Sequence, residues 1–136
     1  VHYWIHCAFL NLNSSKMSKS RGNFITAREA VEKFGYRLLR FFFISNHYRT
    51  TLDFNEDVLI QARGALDRLD EFVSKIDVNM EDNAEELKAE VMKNLDNDFD
   101  TPKAMATIFN FIRNNQDKAG KNTYAFFQEL NSVFDF

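Results

Sequence analysis

The chain of 136 residues has few of the residues that cross-link a protein or interrupt its helices: one cysteine, one proline and four glycines. A single cysteine excludes an intrachain disulfide and a cysteine-rich zinc module. The sequence also lacks a run of eighteen apolar residues and a signal-peptide pattern, which argues against a membrane span and against secretion. We therefore expect a reducing, cytoplasmic location and no membrane partner.

Apolar side chains are abundant, and charge is distributed unevenly along the chain. Hydrophobic residues make up 45% of the sequence and include 15 phenylalanines, so a packed core is expected. The first fifty residues contain eight lysines or arginines and two glutamates, a charge of +6, so the total of −3 leaves −9 for the remainder. We expect anionic partners to meet the first fifty residues, because the acidic remainder is poorly suited to broad phosphate contact.

The first half of the sequence predicts a strand, a loop and two helices. Alternating apolar residues predict a short strand over residues 8–13, which leads into a lysine-rich loop. Thr26 and Glu29 have the spacing of a capping box, so a helix should begin there, and Gly35 should end it in the left-handed conformation. The dense apolar segment of residues 36–45 should form a helix that is buried on most faces.

The pattern is helical in the second half. Apolar residues follow one stripe at three- and four-residue steps over residues 55–76. Asn83 with Glu86 predicts another helix start. Thr101 predicts a further helix start, in which Thr101 is the N-cap and Pro102 is at the first helical position.

A last helix is expected over about residues 122–134. The predicted fold class is therefore mainly α: a strand, a loop and five or six helices, forming a helical bundle attached to the edge of another domain. Because the sequence begins and stops in apolar segments, we expect it to be a piece of a longer protein.

The lysine-rich loop lies in residues 13–30, NSSKMSKSRGNFITAREA. Lys16 and Lys19 are three residues apart, with serine hydroxyls between and after them. Flexible ammonium groups beside hydroxyl donors suit a polyphosphate, and a helix N-terminus near Thr26 would add N–H donors. Such donors would stabilise charge that develops on a leaving pyrophosphate. The alternative is an ordinary solvated surface loop.

The pentapeptide KMSKS, followed one residue later by GN, resembles the second signature of the class I aminoacyl-tRNA synthetases. Four longer segments resemble consecutive blocks of the cysteinyl-tRNA synthetase family, in that order and at similar spacing. They are YWIHCAFLNLNSSKMSKSRGNF, LLRFFFISNHYRTTLDF, ARGALDRL and NDFDTPKAM. Arg21 departs from the family, in which many members have leucine at this position.

The resemblance implies an ATP-dependent ligase that joins cysteine to ATP as cysteinyl-adenylate and then transfers the cysteine to tRNA(Cys). ATP would act with Mg²⁺. Lys16 and Lys19 would be the catalytic residues, with ATP at Lys19. The whole KMSKS loop would bind the nucleotide: Lys16, Met17, Ser18, Lys19 and Ser20. Met17 should anchor the loop in an apolar pocket.

The resemblance also implies a division of the chain and a limit on its activity. Residues 1–50 would be the end of a class I Rossmann-type catalytic domain, with the loop and stem-contact-like helices. Residues 51–136 would be a truncated helical, anticodon-binding-like bundle. The family's other ATP signature and its zinc ligands lie outside this sequence, so the segment should hold no metal and should not activate an amino acid alone. The complete enzyme is expected to be a monomer.

Two other functions remain open from the sequence. A ligase that couples activated cysteine to an amino sugar shares the loop but binds no tRNA. A non-catalytic helical interaction module would have the KMSKS sequence by accident.

Cysteine and histidine suggest further sites, each with a structural alternative. Cys7 invites a zinc or nucleophile interpretation, but a small buried thiol is expected because no second ligand lies at a suitable spacing. His2 and His6 are four residues apart without an acidic neighbour, so we expect His6 to pack near the active site and His2 to lie at the surface. His47 could contact RNA together with Tyr48 and Arg49, or serve a helix terminus.

Arg37 and Arg40, in the phenylalanine-rich helix, could contact tRNA phosphates or form ion pairs with Glu29, Glu32 or an acidic residue of the bundle. The run Phe41–Phe43 is expected in the core rather than as a base-stacking platform.

Overall fold

The computed structural model describes residues 2–18 and 22–136. These residues form a small sheet and six helices, which confirms the mainly α fold class. The strands are β1 (Leu10–Leu12), β2 (Ser15–Lys16) and β3 (Leu52–Phe54), and the helices are α1 (Ala27–Phe34), α2 (Tyr36–Ile44), α3 (Glu56–Lys75), α4 (Glu85–Asp96), α5 (Thr101–Asn114) and α6 (Lys121–Phe134). No helix in the described part of the chain is both long and apolar enough to span a membrane.

The three strands form one sheet in the order β2-β1-β3. β1 pairs antiparallel with β2 and parallel with β3, with Leu10 opposite Leu52 and Leu12 opposite Phe54. The predicted strand over residues 8–13 is therefore present but shorter, and neither β2, which lies in the predicted loop, nor β3 was predicted. A three-residue strand is too short to produce a recognisable alternation in the sequence.

The first two predicted helix starts are confirmed. Thr26 caps α1: its hydroxyl accepts the Glu29 N–H, and the Glu29 carboxylate accepts the Thr26 N–H at 2.8 Å, as in a capping box. Gly35 ends α1, as predicted, and its N–H donates to the Val31 carbonyl. Its conformation differs from the predicted left-handed one, because φ is 82° but ψ is 145°. Asn55 caps α3 by accepting the Val58 N–H at 3.0 Å.

The caps of α4 and α5 are each one residue away from the predicted position. The N-cap of α4 is Ala84, and Asn83 instead accepts the Glu85 N–H at 2.9 Å. The N-cap of α5 is Asp100, whose carboxylate accepts the Lys103 N–H at 3.2 Å. Thr101 is consequently the first residue of the helix rather than its cap. The last helix matches its predicted range within one residue.

Two hydrophobic cores lie on opposite sides of α2. The larger core joins Phe41 to the bundle helices α3 to α6, and the smaller core joins Phe42 to the sheet, α1 and the start of α3. Phe41 and Phe42 are 1% and 2% exposed, as predicted, whereas Phe43 is 46% exposed. The prediction of a buried three-residue run is therefore wrong at Phe43, because three successive residues of a helix cannot all face the same core.

Candidate functional site

The lysine loop begins in a tight hairpin between β1 and β2. Leu12 pairs with Ser15, so only Asn13 and Ser14 connect the strands. Both have positive φ, 48° and 62°, which is the requirement of a type I′ turn and fits the twist of a two-residue hairpin. The hairpin places Lys16 on β2, opposite Asn11 of β1.

Lys16 and Met17 have different environments. Lys16 is exposed, and its Nζ lies 4.2 Å from the centroid of the Phe9 ring. No carboxylate of residues 2–18 or 22–136 forms an ion pair with Lys16. Met17 is half-buried and lines an apolar cavity of about 610 Å³ together with Leu10 and Ile25. Met17 thus attaches the loop to the protein, whereas the ammonium of Lys16 remains available to an anion.

Asn23 links the two sides of the loop at its base. Its Oδ1 accepts the Ser18 N–H at 3.1 Å, and its Nδ2 donates to the Lys16 carbonyl at 3.3 Å. Gly22, beside it, has a φ of 66°. The predicted site residues Lys19 and Ser20, and their neighbour Arg21, lie outside the described residues, so their roles stay predictions.

The N-terminus of α1 is less available to an anion than the sequence suggested. The N–H groups of Thr26 and Glu29 are already hydrogen-bonded within the capping box. The pKa of Glu29 is lowered, first by the Thr26 N–H and then by the Thr26 hydroxyl, so a stable carboxylate lies at this end of the helix. The start of α1 therefore offers an anion fewer free N–H groups than the sequence predicted.

A carboxylate that sequence reasoning missed holds the hairpin turn. Asp53 of β3 accepts the Ser14 N–H at 2.6 Å through Oδ1 and the Ser14 hydroxyl at 3.1 Å through Oδ2. The pKa of Asp53 is lowered, chiefly by the Ser14 N–H. No local pattern could have revealed this contact, since the two residues are 39 positions apart.

His47, Tyr48 and Arg49 contact the turn between α4 and α5. The Tyr48 hydroxyl donates to Asp98 at 2.5 Å, and the Arg49 guanidinium lies 2.9 Å from the same carboxylate. The His47 ring stacks on Tyr48, and its Nε2 is 3.1 Å from the Asp98 carbonyl oxygen. The pKa of Asp98 is lowered, first by the Tyr48 hydroxyl and then by Arg49. These side chains thus join the sheet region to the bundle.

The arginines of α2 also have protein partners. Arg37 forms a bidentate ion pair with Asp70 of α3, with hydrogen bonds of 2.8 and 2.5 Å. This agrees with the predicted alternative of an ion pair with an acidic residue of the bundle. Asp70 raises the pKa of Arg37, chiefly through the side-chain hydrogen bond. Arg40 donates to the Phe134 carbonyl at 2.7 Å and so binds the C-terminus of α6.

The cysteine prediction is wrong. Cys7 is exposed, because the segment before β1 runs over the surface beside an apolar cavity instead of entering the core. His2 and His6 are both exposed, and His6 stacks on Trp4. Within the described ranges, no three His, Cys, Asp or Glu side chains come together as a candidate metal site.

Sequence comparison with known proteins agrees with the signature in the loop. The family of class I (C) tRNA synthetase catalytic domains matches residues 1–64. The cysteine–tRNA ligase of Geobacter metallireducens is 39% identical over 128 residues, covering 83% of this chain and 26% of that relative.

Two further relatives are also cysteine–tRNA ligases. The cysteine–tRNA ligase of Carboxydothermus hydrogenoformans is 36% identical over 135 residues, covering 90% of this chain and 29% of the relative. That of Shewanella baltica is 39% identical over 114 residues, covering 83% and 25%. The chain thus spans little more than a quarter of the length of these relatives. It is similar to the class I tRNA synthetase catalytic domain over residues 1–64 and to cysteine–tRNA ligases over most of its length.

Proposed function

We propose that this chain supplies the ATP-binding loop and part of the tRNA-binding surface of a cysteine–tRNA ligase. The enzyme would join the cysteine carboxylate to the α-phosphate of ATP, release pyrophosphate, and pass the cysteine to the terminal ribose of tRNA(Cys). The observation that carries the proposal is the KMSKS loop, which has an exposed lysine and is held by Asp53 on one side and by Asn23 on the other. The chain is up to 39% identical to such ligases.

The two lysines of the loop would act on the phosphates of ATP. Their ammonium groups would stabilise the charge that develops on pyrophosphate as it leaves, which is where fixed positive charge lowers a barrier most. Lys19 would contact ATP directly, and Lys16 would act beside it. Met17 would keep the loop attached to the apolar cavity that it lines. Ser18 and Ser20 would add polar donors.

The ions of the reaction would be held mainly by groups outside this chain. Mg²⁺ would enter with ATP and be held by its phosphates. Zn²⁺ would belong to the complete enzyme, through ligands in the remainder of the ligase. The segment alone would therefore not activate cysteine.

The two parts of the chain would have different roles. Residues 1–50 would complete the catalytic domain, and residues 51–136 would form part of the helical tRNA-binding bundle. Arg37 and Arg40 form contacts within the protein, so contacts between tRNA phosphates and this chain would come from other basic residues. We expect the complete ligase to be monomeric and cytoplasmic.

The test is transfer of labelled cysteine to tRNA by the full-length protein, with an unrelated tRNA as the control. Charging of the cysteine tRNA alone is expected. Cysteine-dependent pyrophosphate exchange without charging would point to the amino-sugar ligase. Absence of both reactions would contradict either ligase and would favour the interaction module.

A pair of lysine substitutions tests the role of the loop. Lys19→Ala should slow adenylate formation by roughly two orders of magnitude or more, because a donor to the transition state is lost. Lys118→Ala removes the same charge from an exposed turn between α5 and α6 and should leave the rate unchanged. Pre-steady-state adenylation at an equal rate in both variants would refute the assignment of Lys19.

A further inference from the structure

We infer that Asp53 is a positioning residue for the lysine loop, because its carboxylate fixes the hairpin turn from which the loop starts. The inference rests on the proposed function, since the loop matters for catalysis only if it binds ATP. Asp53 lies on β3, across β1 from the loop, and does not belong to the KMSKS signature.

The turn needs an external partner because its backbone is unfavourable for its residues. Asn13 and Ser14 both have positive φ, a conformation that is unfavourable for L-residues other than glycine. Asparagine tolerates this region better than serine. Asp53 contacts the less tolerant residue, and it does so twice: one carboxylate oxygen accepts the Ser14 N–H and the other accepts the Ser14 hydroxyl.

The sheet register aligns the carboxylate with this turn. β3 runs parallel to β1, with Asp53 opposite Asn11, and the Asn13 N–H donates to the Phe54 carbonyl at 3.3 Å. The last residues of β1 and the first residue of the turn are thus held by the backbone of β3. Asp53 extends this attachment by one residue, to Ser14.

The attachment continues into the bundle. Asn55 donates through Nδ2 to Asp53 Oδ2 at 3.0 Å, and its Oδ1 caps α3 by accepting the Val58 N–H. One chain of hydrogen bonds therefore connects the hairpin turn to the first turn of the longest helix among the described residues. The position of the loop is tied to α3 through Asp53 and Asn55.

Asp53 and Asn23 hold the loop from different sides. Asp53 fixes the turn before β2, and Asn23 bridges Lys16 and Ser18 after it. Lys16 follows the first attachment by two residues, and its carbonyl is part of the second. Releasing the first attachment should let the ammonium groups shift by a fraction of an ångström or more, and a misplacement of about 1 Å can cost a hundredfold in rate.

The experiment measures pyrophosphate exchange by the full-length protein with Asp53→Ala and Asp53→Asn. Asp57→Asn is the matched control, because Asp57 lies in the first turn of α3 and its carboxylate forms no hydrogen bond or ion pair with the described residues. Asp53→Ala should lower kcat roughly ten- to hundredfold with an unchanged KM for cysteine. Asp53→Asn should recover part of the loss, because an amide oxygen still accepts the Ser14 N–H.

A second readout does not depend on activity. Amide hydrogen exchange at Ser14 should become faster in Asp53→Ala than in the wild type or in Asp57→Asn, while exchange in α5 stays the same. If Asp53→Ala does not fold, Asp53→Asn and Ser14→Ala test the same attachment, since each weakens it without removing it.

The results separate failure of this inference from failure of the proposed function. An active wild type, with Asp53→Ala equal to it in kcat and in Ser14 exchange, would overturn the inference alone. A wild type without pyrophosphate exchange would overturn the proposed function, and the positioning role in catalysis with it. Slower exchange kinetics at Ser14 in the variant than in the wild type would also contradict the inference.

Discussion

The sheet region and the helical bundle differ in how completely they bury their apolar side chains. The core beneath the sheet has six buried residues, whereas the core of the bundle has sixteen. Before β1, Tyr3, Trp4 and Phe9 are 89%, 75% and 65% exposed. The bundle therefore contributes most of the stability of the folded chain, and the lysine loop belongs to the less buried part. Loops that bind ligands are generally found in such regions of lower local stability.

The largest expected effect comes from substituting neighbouring phenylalanines that belong to the two different cores. Phe41→Ala should cost about 3–5 kcal/mol of unfolding free energy, because it opens a cavity in the larger core. Phe42→Ala is the matched change in the smaller core, and it should expose the β3 amides to hydrogen exchange while α5 stays protected. Chemical denaturation and native-state hydrogen exchange measure both effects. The comparison fails if Phe42→Ala opens α5 as much as Phe41→Ala does.

Gly120→Ala should destabilise the bundle by about 1–3 kcal/mol, through overpacking. A Cβ at this position would lie 2.2 Å from the Met80 carbonyl oxygen, and that backbone is fixed by the Lys121 N–H. Gly64→Ala is the control, because a Cβ there meets nothing within 4 Å. It should stabilise α3 by about 0.5–1 kcal/mol. Thermal unfolding should show a lower melting temperature than the wild type for Gly120→Ala and a higher one for Gly64→Ala. A change of the same sign in both variants would contradict the predicted clash.

Asp82→Asn should weaken the bundle by about 0.5–2 kcal/mol at neutral pH, because Asp82 caps α6 from a distant part of the chain. Its carboxylate accepts the Asn122 N–H at 2.8 Å and the Thr123 hydroxyl at 2.5 Å. Burial opposes ionisation, but the hydrogen bonds from Thr123, Gly120 and Asn122 outweigh it and lower the pKa of Asp82.

A lowered pKa fixes the sign of the pH dependence at Asp82. The stabilisation is complete above the ordinary carboxyl pKa of about 3.9 and is lost as the pH falls through the lower value in the folded protein. The difference in unfolding free energy between wild type and Asp82→Asn should therefore shrink below about pH 4. Denaturation at several pH values measures it. A difference that persists unchanged to pH 2 would exclude this origin.

The smallest expected effect concerns the ion pair that joins α2 to α3. Arg37→Ala should cost about 1 kcal/mol or less, because Arg37 and Asp70 remain 43% and 45% exposed. A double-mutant cycle with Asp70→Ala isolates the pair. The more exposed pair of Lys33 and Glu56 provides the control and should couple more weakly. A coupling energy above about 2 kcal/mol would contradict the screening expected of an exposed pair.

Local sequence patterns predicted most of the helices correctly. The capping box at Thr26 was predictable because it joins groups only three residues apart, so residue types alone reveal it. The start of α3 was predictable from the apolar stripe over residues 55–76. The start of α5 was placed one residue late because Asp98 and Phe99 take positive φ and bring Asp100 to the cap position. Short strands such as β3 depend on a distant partner and left no local signal.

The amino-acid sequence by itself determined the mainly α fold, the approximate positions of the helices and the resemblance of the loop to the class I tRNA synthetase signature. These features depend on contacts within one or two helical turns, which recur as patterns along the chain. Only the tertiary structure decided that Asp53 holds Ser14, that Asp98 joins Tyr48 to the bundle, and that Arg40 binds the end of α6. Those partners are 39 to 94 residues apart, and their pairing follows from the path of the folded chain rather than from any repeat in the sequence.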